Sequence, residues 1–261
     1  MTIAGFDPSG GAGILADIKA IAAMGGYGVA AITSLTFQNT LGVTGAAHQA
    51  RETVRRQIEP LLADFTIAAA KTGMLPDAEV IDEVAALIAA HRIAPLVVDP
   101  VVRSTSGFDL IDDEALATLV ERLFPLATVV TPNAAEAERL TGIRIVDPDA
   151  MRQAAAAIRA MGARAVLIKG GDMIAETATD LLLDDAGVRT FATERVHSSS
   201  THGTGCTLAA AMATLLAAGL SLADSIEQAK CYLVEAIRDA PALGHGHGPL
   251  NHFPRRVADR R

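Results

Sequence analysis

The chain has 261 residues, half of them hydrophobic but only 3% aromatic, and its 30 acidic and 22 basic residues give a net charge of −8. The apolar content excludes a disordered chain, and the excess of acid argues against nucleic acid or an anionic membrane as a partner. With Cys206 and Cys231 as the only cysteines, a disulfide scaffold is excluded and a reducing compartment is indicated. No basic segment followed by an apolar one opens the chain, so we expect no export signal and a cytoplasmic protein.

Short apolar runs alternate with amphipathic stretches along the chain, as in a parallel sheet covered by helices on both faces. Strands are predicted at Thr2–Ala4, Val29–Thr36, Thr66–Ala70, Leu96–Asp99, Thr128–Thr131 and Ala165–Lys169. Apolar residues at helical spacing predict helices around Val80–Ile88, Leu116–Phe124 and Leu222–Ile237. One antiparallel hairpin is predicted from Leu181–Leu183 and Val188–Phe191. The sequence therefore predicts a single α/β domain over residues 1–261, with three α/β/α layers around a mostly parallel central sheet.

The uncharged stretch Cys206–Ala223 has the minimum length of a membrane span. Gly219, followed by Ser221 and Asp224, indicates instead the end of one helix and the N-cap of the next. The first helix is then about 13 residues, or ~20 Å, which is too short for a hydrocarbon core of ~30 Å. We therefore predict a buried helix and no membrane partner.

Two glycine-rich segments are candidate phosphate-binding loops. His202–Cys206 (HGTGC) precedes a predicted helix at Thr207–Ala218, and a helix start of this kind offers unpaired N–H groups and a favourable dipole to an anion. Gly5–Gly13 (GFDPSGGAG) follows the first strand and lets a ligand approach the backbone. A tight turn without a ligand is the alternative interpretation of each. The sequence contains no P-loop, and its Gly-x-Gly lacks the third glycine of a dinucleotide site.

Polar residues follow several predicted strands, and the carboxyl ends of parallel strands share one edge of a sheet. Asn133 and Glu136 have the spacing of a capping box, and the same geometry would also direct both side chains at a hydrated Mg²⁺. Lys169 is a candidate for neutralising phosphate, or else a surface lysine. Asp99 ends an apolar strand and is a candidate for a metal or phosphate network. The tract His245–His247 is interpreted as solvated, because no partner cluster accompanies it.

In this combination the segments resemble the hydroxymethylpyrimidine/phosphomethylpyrimidine kinases of the ribokinase-like superfamily. The segments that carry the resemblance follow one another along nearly the whole chain: Ile3–Ile14, Ala16–Asp17, Gln38–Thr40, Lys71–Leu75, Val98–Val101, Thr131–Asn133 with Glu136, Lys169–Gly171, His202–Thr207 and Gly246–Phe253. The resemblance implies a ribokinase-like fold, ATP and Mg²⁺ as cofactors, and a homodimer. The implied reaction is phosphorylation of 4-amino-5-hydroxymethyl-2-methylpyrimidine and then of its monophosphate, giving the diphosphate for thiamin biosynthesis.

The resemblance also implies roles for individual residues. Gln38 matches the pyrimidine-binding glutamine, whose amide suits a ring nitrogen and the exocyclic amine, and the other positions lining that pocket match Gly5, Asp17 and Met74. The nucleotide and Mg²⁺ side matches Asn133, Glu136 and Lys169. We expect Asp99 to join Glu136 in holding the metal through water. The catalytic positions, an anion hole and the residue beside it, match Gly203, Thr204, Gly205 and Cys206.

Cys206 stands where much of the superfamily has an aspartate base. Because a thiol at a helix N-terminus has a lowered pKa, we expect a thiolate that serves the first phosphorylation, whereas the second acceptor is already an oxyanion. The sequence departs from the family's usual pattern at Phe6 and at Thr105, a position that is often lysine. We expect the guanidinium of Arg103 to supply that charge and bind the phosphate of the monophosphate.

Three alternatives remain open. A pyridoxal-type kinase would phosphorylate another nitrogen ring that bears a hydroxymethyl group, although Gln38 with Met74 favours the pyrimidine. A dinucleotide-dependent oxidoreductase is disfavoured by the missing third glycine. A protein that binds these ligands without catalysis would show tight binding and no release of ADP.

Overall fold

The structure is a computed structural model that describes residues 1–102, 110–171 and 177–254. Arg103, which we expect to bind the phosphate of the monophosphate, and Thr105, which departs from the family's usual lysine, lie outside these residues. Within them, nine strands form one mixed sheet in the spatial order β3-β2-β1-β4-β5-β6-β7-β8-β9. The strands are β1 Thr2–Phe6, β2 Ala30–Asn39, β3 Gly42–His48, β4 Ala70–Thr72, β5 Leu96–Val98, β6 Val129–Val130, β7 Val166–Ile168, β8 Thr177–Asp184 and β9 Gly187–Glu194.

The central strands, from β2 through β1, β4, β5 and β6 to β7, pair in parallel. At the edges, β3 pairs antiparallel with β2, and β8 and β9 form an antiparallel hairpin beside β7. The mostly parallel sheet is therefore confirmed, and so is the hairpin predicted around Leu181 and Val188.

The helices flank the sheet on both faces. Their bounds are α1 Gly13–Ala23, α2 Arg51–Asp64, α3 Ala78–Ala90, α4 Asp113–Thr118, α5 Ala134–Thr141, α6 Pro148–Ala160, α7 Thr204–Ala217 and α8 Leu222–Arg238. The helix predicted at Leu116–Phe124 is instead the end of α4 followed by a π turn and a 3₁₀ turn. Pro125, which has no N–H to donate, lies in the 3₁₀ turn.

The continuous apolar strands supply both halves of the core. In β5 and β6, Val98 and Val130 belong to the cluster on the face of α2 to α6, whereas Val97 and Val129 pack with α1, α7 and α8. Because successive side chains of a strand point to opposite faces, a sheet covered on both sides needs apolar residues at every position. This arrangement gives the three α/β/α layers that the sequence predicts.

Most strands differ from the prediction only at their ends, but β3 and β4 differ further. β3 was not predicted, because its sequence, GVTGAAH, has few large apolar residues to mark it as a strand. β4 lies at Ala70–Thr72 rather than at Thr66–Ala70, because Lys71 is fully buried inside the strand. A lysine is buried in this way only when it is paired, and its partner here is Asp17.

The uncharged stretch folds as predicted. α7 ends at Ala217, and the Ser221 side chain caps α8 by accepting a hydrogen bond from the Asp224 N–H. Across the three described ranges, no helix combines the length and the apolar character that a membrane crossing requires.

Candidate active site

The strand ends and both glycine segments meet in a single cavity of about 590 Å³. Its lining contains residues that the sequence singled out for the acceptor, the nucleotide and the anion hole. These are Gly5, Gln38, Met74, Asp99, Asn133, Glu136, Lys169, Gly203, Thr204, Gly205 and Cys206. Parallel topology explains the convergence, because β1, β4, β5, β6 and β7 all end at this edge of the sheet.

The start of α7 forms an amide nest, which we define as residues Gly203–Cys206. α7 begins at Thr204, earlier than predicted, and Gly203 is its N-cap with φ 82° and no side chain to occupy the first N–H groups. A Cβ atom on Gly203 would lie 1.9 Å from the carbonyl oxygen of Gly11. Only glycine permits this left-handed turn in backbone contact with the other glycine segment. The N–H groups at this helix start suit an anion, although that of Thr204 donates to the Thr201 carbonyl oxygen at 3.4 Å.

A buried ion pair lies beside the nest. The Lys169 ammonium is 2.8 Å from Asp99 Oδ1, which also accepts a hydrogen bond from Thr131 Oγ1 at 3.0 Å. Burial alone would lower the pKa of Lys169, but the charges of Asp99 and Glu136 raise it above its ordinary value. A Cβ atom on Gly205 would lie 3.1 Å from Lys169 Nζ. The charged ammonium of Lys169 therefore lies next to the amide nest.

Asn133 and Glu136 form the capping box. Asn133 Oδ1 accepts from the Glu136 N–H, and Glu136 Oε2 accepts from the Asn133 N–H, each at 2.8 Å. Both groups nevertheless line the cavity. Burial raises the pKa of Glu136 to about 7, with Lys169 opposing the shift and Asp99 adding to it. The capping interpretation and a functional one are thus compatible, since each carboxylate oxygen can accept more than one bond.

The donor set fits a hydrated Mg²⁺ held jointly with phosphate. In the described part of the chain, no cluster of three or more His, Cys, Asp or Glu side chains is arranged to hold a metal. Mg²⁺ commonly takes only one or two carboxylates, keeps several waters and completes its shell with phosphate oxygens. Asp99 and Glu136 are two such carboxylates in the lining of the cavity. Burial raises the pKa of Glu136 even though the charge of Lys169 opposes the shift, so a further cation would favour its ionised form.

Asp17 does not line the cavity, contrary to what the resemblance implies. It is fully buried, its carboxylate lies 2.9 Å from Lys71 Nζ, and it accepts a hydrogen bond from Thr2 Oγ1 at 2.6 Å. The charge of Lys71 acts in turn on Cys206. Asp17 therefore holds a buried cation in place behind the cavity wall.

The environment of Cys206 raises the pKa of its thiol, where the sequence predicts a lowered one. Burial raises the pKa to about 11, while the charge of Lys71 and a hydrogen bond from the Gly13 N–H oppose the shift and Asp17 and Asp99 add to it. The thiol lies at the start of α7 as expected, but two buried carboxylates nearby disfavour its anion. At neutral pH Cys206 is therefore a thiol rather than a thiolate.

The acceptor side of the cavity is pre-organised through β2. Gln38 Nε2 donates to Thr36 Oγ1 at 2.6 Å, and that hydroxyl donates to the Phe6 carbonyl oxygen at 2.9 Å. The amide of Gln38 keeps one N–H and its carbonyl oxygen for a ligand. Met74 lies opposite, and its sulfur would be 3.1 Å from a Cβ atom on Gly5. Glycine at position 5 thus makes room for Met74 beside the pocket.

The sequence did not reveal the apolar wall of the cavity. Leu233 and Ile237 were assigned to the core by their helical spacing, but with Val234 and Leu208 they line the cavity from α8 and α7. The helical pattern could not separate a face packed on the sheet from a face packed on a ligand. All three α8 side chains are only partly buried, as a ligand-binding face requires.

A second buried ion pair in the wall was also missed. Lys230 Nζ lies 2.6 Å from Asp180 Oδ2, and Asp180 Oδ1 accepts from the Gly170 N–H at 3.0 Å. Asp180 thus fixes the backbone directly after Lys169. The available signal was a carboxylate just before the apolar run Leu181–Leu183 of the predicted hairpin, since a charge at such a position needs a partner.

Known proteins resemble this chain over most of its length. The family model described as phosphomethylpyrimidine kinase matches residues 7–251. The bifunctional thiamine biosynthesis protein ThiED of Geobacter sulfurreducens is 48% identical over 97% of this chain, which spans only 52% of that protein. A hydroxymethylpyrimidine/phosphomethylpyrimidine kinase of Haemophilus influenzae is 43% identical, with 97% of this chain and 96% of the relative covered. The solved ADP complex of Bacillus subtilis pyridoxal kinase is similar with a TM-score of 0.89 and 35% identity, covering 97% of this chain and 96% of that one.

The matched range contains the amide nest, Lys169, the Asn133–Glu136 box and Gln38. The likeness therefore extends over the cavity as well as over the sheet and helices, and the fold is ribokinase-like. By sequence match and by the architecture of its cavity, the chain belongs to the phosphomethylpyrimidine kinase family.

Proposed function

We propose that this protein transfers the γ-phosphoryl group of ATP to 4-amino-5-hydroxymethyl-2-methylpyrimidine, and then a second one to the monophosphate product. The observation that carries the proposal is that the amide nest with Lys169 and the acceptor residue Gln38 line one cavity. Phosphoryl transfer requires the two substrates in line and neutralisation of charge, and it asks little covalent chemistry of the protein.

Each part of the cavity has a task in this reaction. Gln38, held by Thr36, binds the edge of the pyrimidine ring and presents its hydroxymethyl group to the nest. The N–H groups of residues 203–206 and the ammonium of Lys169 bind the migrating phosphoryl group, where negative charge is concentrated. Mg²⁺, when bound with ATP at Asp99 and Glu136, would supply further neutralisation of the phosphates.

The apolar wall is suited to the adenine of ATP. Leu208, Leu233, Val234 and Ile237 contribute apolar side chains to the cavity, which Lys169 and Lys230 also line. The similar pyridoxal kinase was solved with ADP, which supports a nucleotide as a ligand of this protein.

The test is mass spectrometry of the products after incubation of the pyrimidine alcohol with ATP and Mg²⁺, with pyridoxal in a parallel reaction. We expect the monophosphate and then the diphosphate of the pyrimidine. Formation of the monophosphate alone would restrict the proposal to the first step. The absence of both products would refute the proposal. Pyridoxal phosphorylation is the second candidate, and it is favoured by the likeness to pyridoxal kinase.

We also propose a homodimer that works in the cytoplasm. The outer face of the β2–β3 hairpin exposes Leu35, Phe37 and Leu41, which is more apolar surface than an edge hairpin usually presents to water. Both Cys206 and Cys231 are free, which supports a reducing compartment.

A further inference from the structure

One buried side-chain pair joins the two glycine segments. The carboxylate of Asp7, only 1% exposed, accepts hydrogen bonds from the Ser9 N–H at 2.8 Å, the Gly11 N–H at 3.2 Å and the Ala12 N–H at 2.9 Å. It also accepts from the Ser9 hydroxyl at 2.9 Å and lies 2.8 Å from His202 Nε2. We call the last contact the Asp7–His202 bridge.

The bridge has a defined direction. Although burial would raise the pKa of Asp7, the bonds from His202 and Ser9 hold it below its ordinary value. Since an ionised carboxylate only accepts hydrogen bonds, the proton of the bridge is carried by His202 Nε2. The His202 ring is also packed on Gly11, where a Cβ atom would lie 2.4 Å from Cδ2. These contacts leave the ring little freedom.

Because of the position of His202 in the chain, the Asp7–His202 bridge connects the two sides of the cavity. His202 directly precedes Gly203, the N-cap of α7, so a displaced imidazole would carry the first peptide groups of the nest with it. Asp7 follows β1 two residues after Gly5, which adjoins Met74 on the acceptor side. The bridge therefore links the backbone that binds phosphate to the backbone beside the acceptor.

We infer that Asp7 and His202 are positioning residues for phosphoryl transfer, which hold the amide nest in line with the acceptor through their mutual hydrogen bond. The inference rests on the proposed function and extends it to two residues that have no assigned role. Because a displacement of about 1 Å can slow an enzyme by about 10²-fold, loss of this one bond should appear in kcat.

The test compares two amide replacements of the histidine. The Nε2 atom of glutamine is as many bonds from Cα as the Nε2 atom of histidine, whereas asparagine is one bond shorter. We expect H202N to lower kcat about 10²-fold while the KM values for ATP and the pyrimidine stay within about threefold. H202Q should restore kcat to within about fivefold of the unchanged protein, because it can again donate to Asp7. A double-mutant cycle with D7N should be strongly non-additive in kcat.

A second measurement needs no acceptor. Hydrogen exchange of the peptide covering residues 201–206 should be faster in H202N than in the unchanged protein and in H202Q. The inference is overturned if H202N keeps full kcat and slow exchange, or if kcat and exchange in H202Q are no closer to the unchanged protein than in H202N. It is also overturned if thermal unfolding shows that H202N is unfolded and H202Q does not recover kcat. If the unchanged protein phosphorylates no pyrimidine, the proposed function fails, and the exchange pattern still decides whether the bridge orders the nest.

Discussion

At the scale of single residues, we ask whether the sulfur of Cys206 is the base of the first phosphorylation. If its sulfur accepts the proton of the alcohol, C206A should lower kcat of the first phosphorylation by about 10²-fold or more and that of the second much less, because the second acceptor is already an oxyanion. Separate assays with the alcohol and with the monophosphate measure the two effects. Equal losses in both steps would leave Cys206 only a role in shaping the loop.

The pH dependence of the same step provides an independent prediction. Burial raises the pKa of Cys206 to about 11, so the reactive thiolate is a minor species at neutral pH. kcat for the alcohol should therefore rise with pH between 7 and 9, by up to about tenfold per pH unit. The profile of C206A should be flat over the same range and serves as the control. A flat profile in the unchanged protein would exclude the thiolate as the base.

The sequence predicted which residues line the cavity better than it predicted their electrostatics. Gln38, Lys169 and Cys206 are recognisable because they lie in short motifs at strand and helix ends. The predicted direction of the Cys206 pKa shift was wrong, because burial by residues far away in sequence raises the pKa, and Asp17 and Asp99 add to that shift. Asp17 itself lies behind the cavity wall because it pairs with Lys71. No local sequence pattern indicates a pairing between residues so far apart in the chain.

At the scale of single elements, the capping box at the start of α5 lowers the stability of the folded protein at higher pH. The pKa of Glu136 is raised from 4.5 to about 7, so between these pH values the folded protein holds a proton that the unfolded chain has lost. Stability contributed at this site is therefore lost as pH rises through that window. E136Q keeps an oxygen for the Asn133 N–H but carries no charge, so its thermal midpoint relative to the unchanged protein should be higher at pH 8 than at pH 4.5.

The control for this measurement is E227Q, on the exposed face of α8, which should show no such difference. Added Mg²⁺ and ATP should raise the midpoint of the unchanged protein more than that of E136Q. An equal gain for E136Q at both pH values would contradict the buried charge as the cause.

The glycines that flank α7, Gly203 and Gly219, distinguish the cost of backbone strain from the cost of a steric clash. G219A, with φ 88° and no atom within 4 Å of its new Cβ, should cost about 1–2 kcal/mol of unfolding free energy. G203A has the same strain and also places Cβ 1.9 Å from the Gly11 carbonyl oxygen, so it should cost clearly more and abolish turnover. Chemical denaturation measures both variants, and equal costs would show that the two glycine segments are not in firm contact.

G205A isolates the chemistry of the nest. Gly205 lies inside α7, where alanine favours the helix, so the thermal midpoint should not fall. Its Cβ would lie 3.1 Å from Lys169 Nζ, and the displaced ammonium should lower kcat about tenfold or more. Unchanged turnover by G205A would mean that Lys169 does not act at the nest.

Elements with strong apolar patterns could be predicted, and elements held by distant partners could not. α3, the C-terminal end of α7 and the start of α8 follow from periodicity and caps. β3 is stabilised by its hydrogen bonds to β2 rather than by large side chains, and the register of β4 is set by the Asp17–Lys71 pair. Those contributions come from other parts of the chain and leave no periodic signal.

At the scale of the whole molecule, the parallel topology explains why scattered motifs form one site. Alternating strands and helices predict that the carboxyl ends of the strands meet, and this prediction needs no knowledge of the ligand. What the alternation cannot give is the contact of the C-terminal segment with the β2–β3 turn. There the His247 N–H donates to the Thr40 carbonyl oxygen at 2.8 Å, beside the turn that follows Gln38.

Side chains on the two faces of β2 alternate between the cavity and the face that we propose for the dimer. Thr36 and Gln38 line the cavity, while Leu35 and Phe37, on the opposite face of β2, are 41% and 54% exposed. In sedimentation equilibrium the unchanged protein should have twice the 27.0 kDa mass of the chain, and L35S combined with F37S should have the mass of one chain. Y27S, which removes an aromatic ring that is 84% exposed outside the hairpin, should leave the mass unchanged. An unchanged protein that sediments as one chain, or an equal effect of Y27S, would refute the dimer at this face.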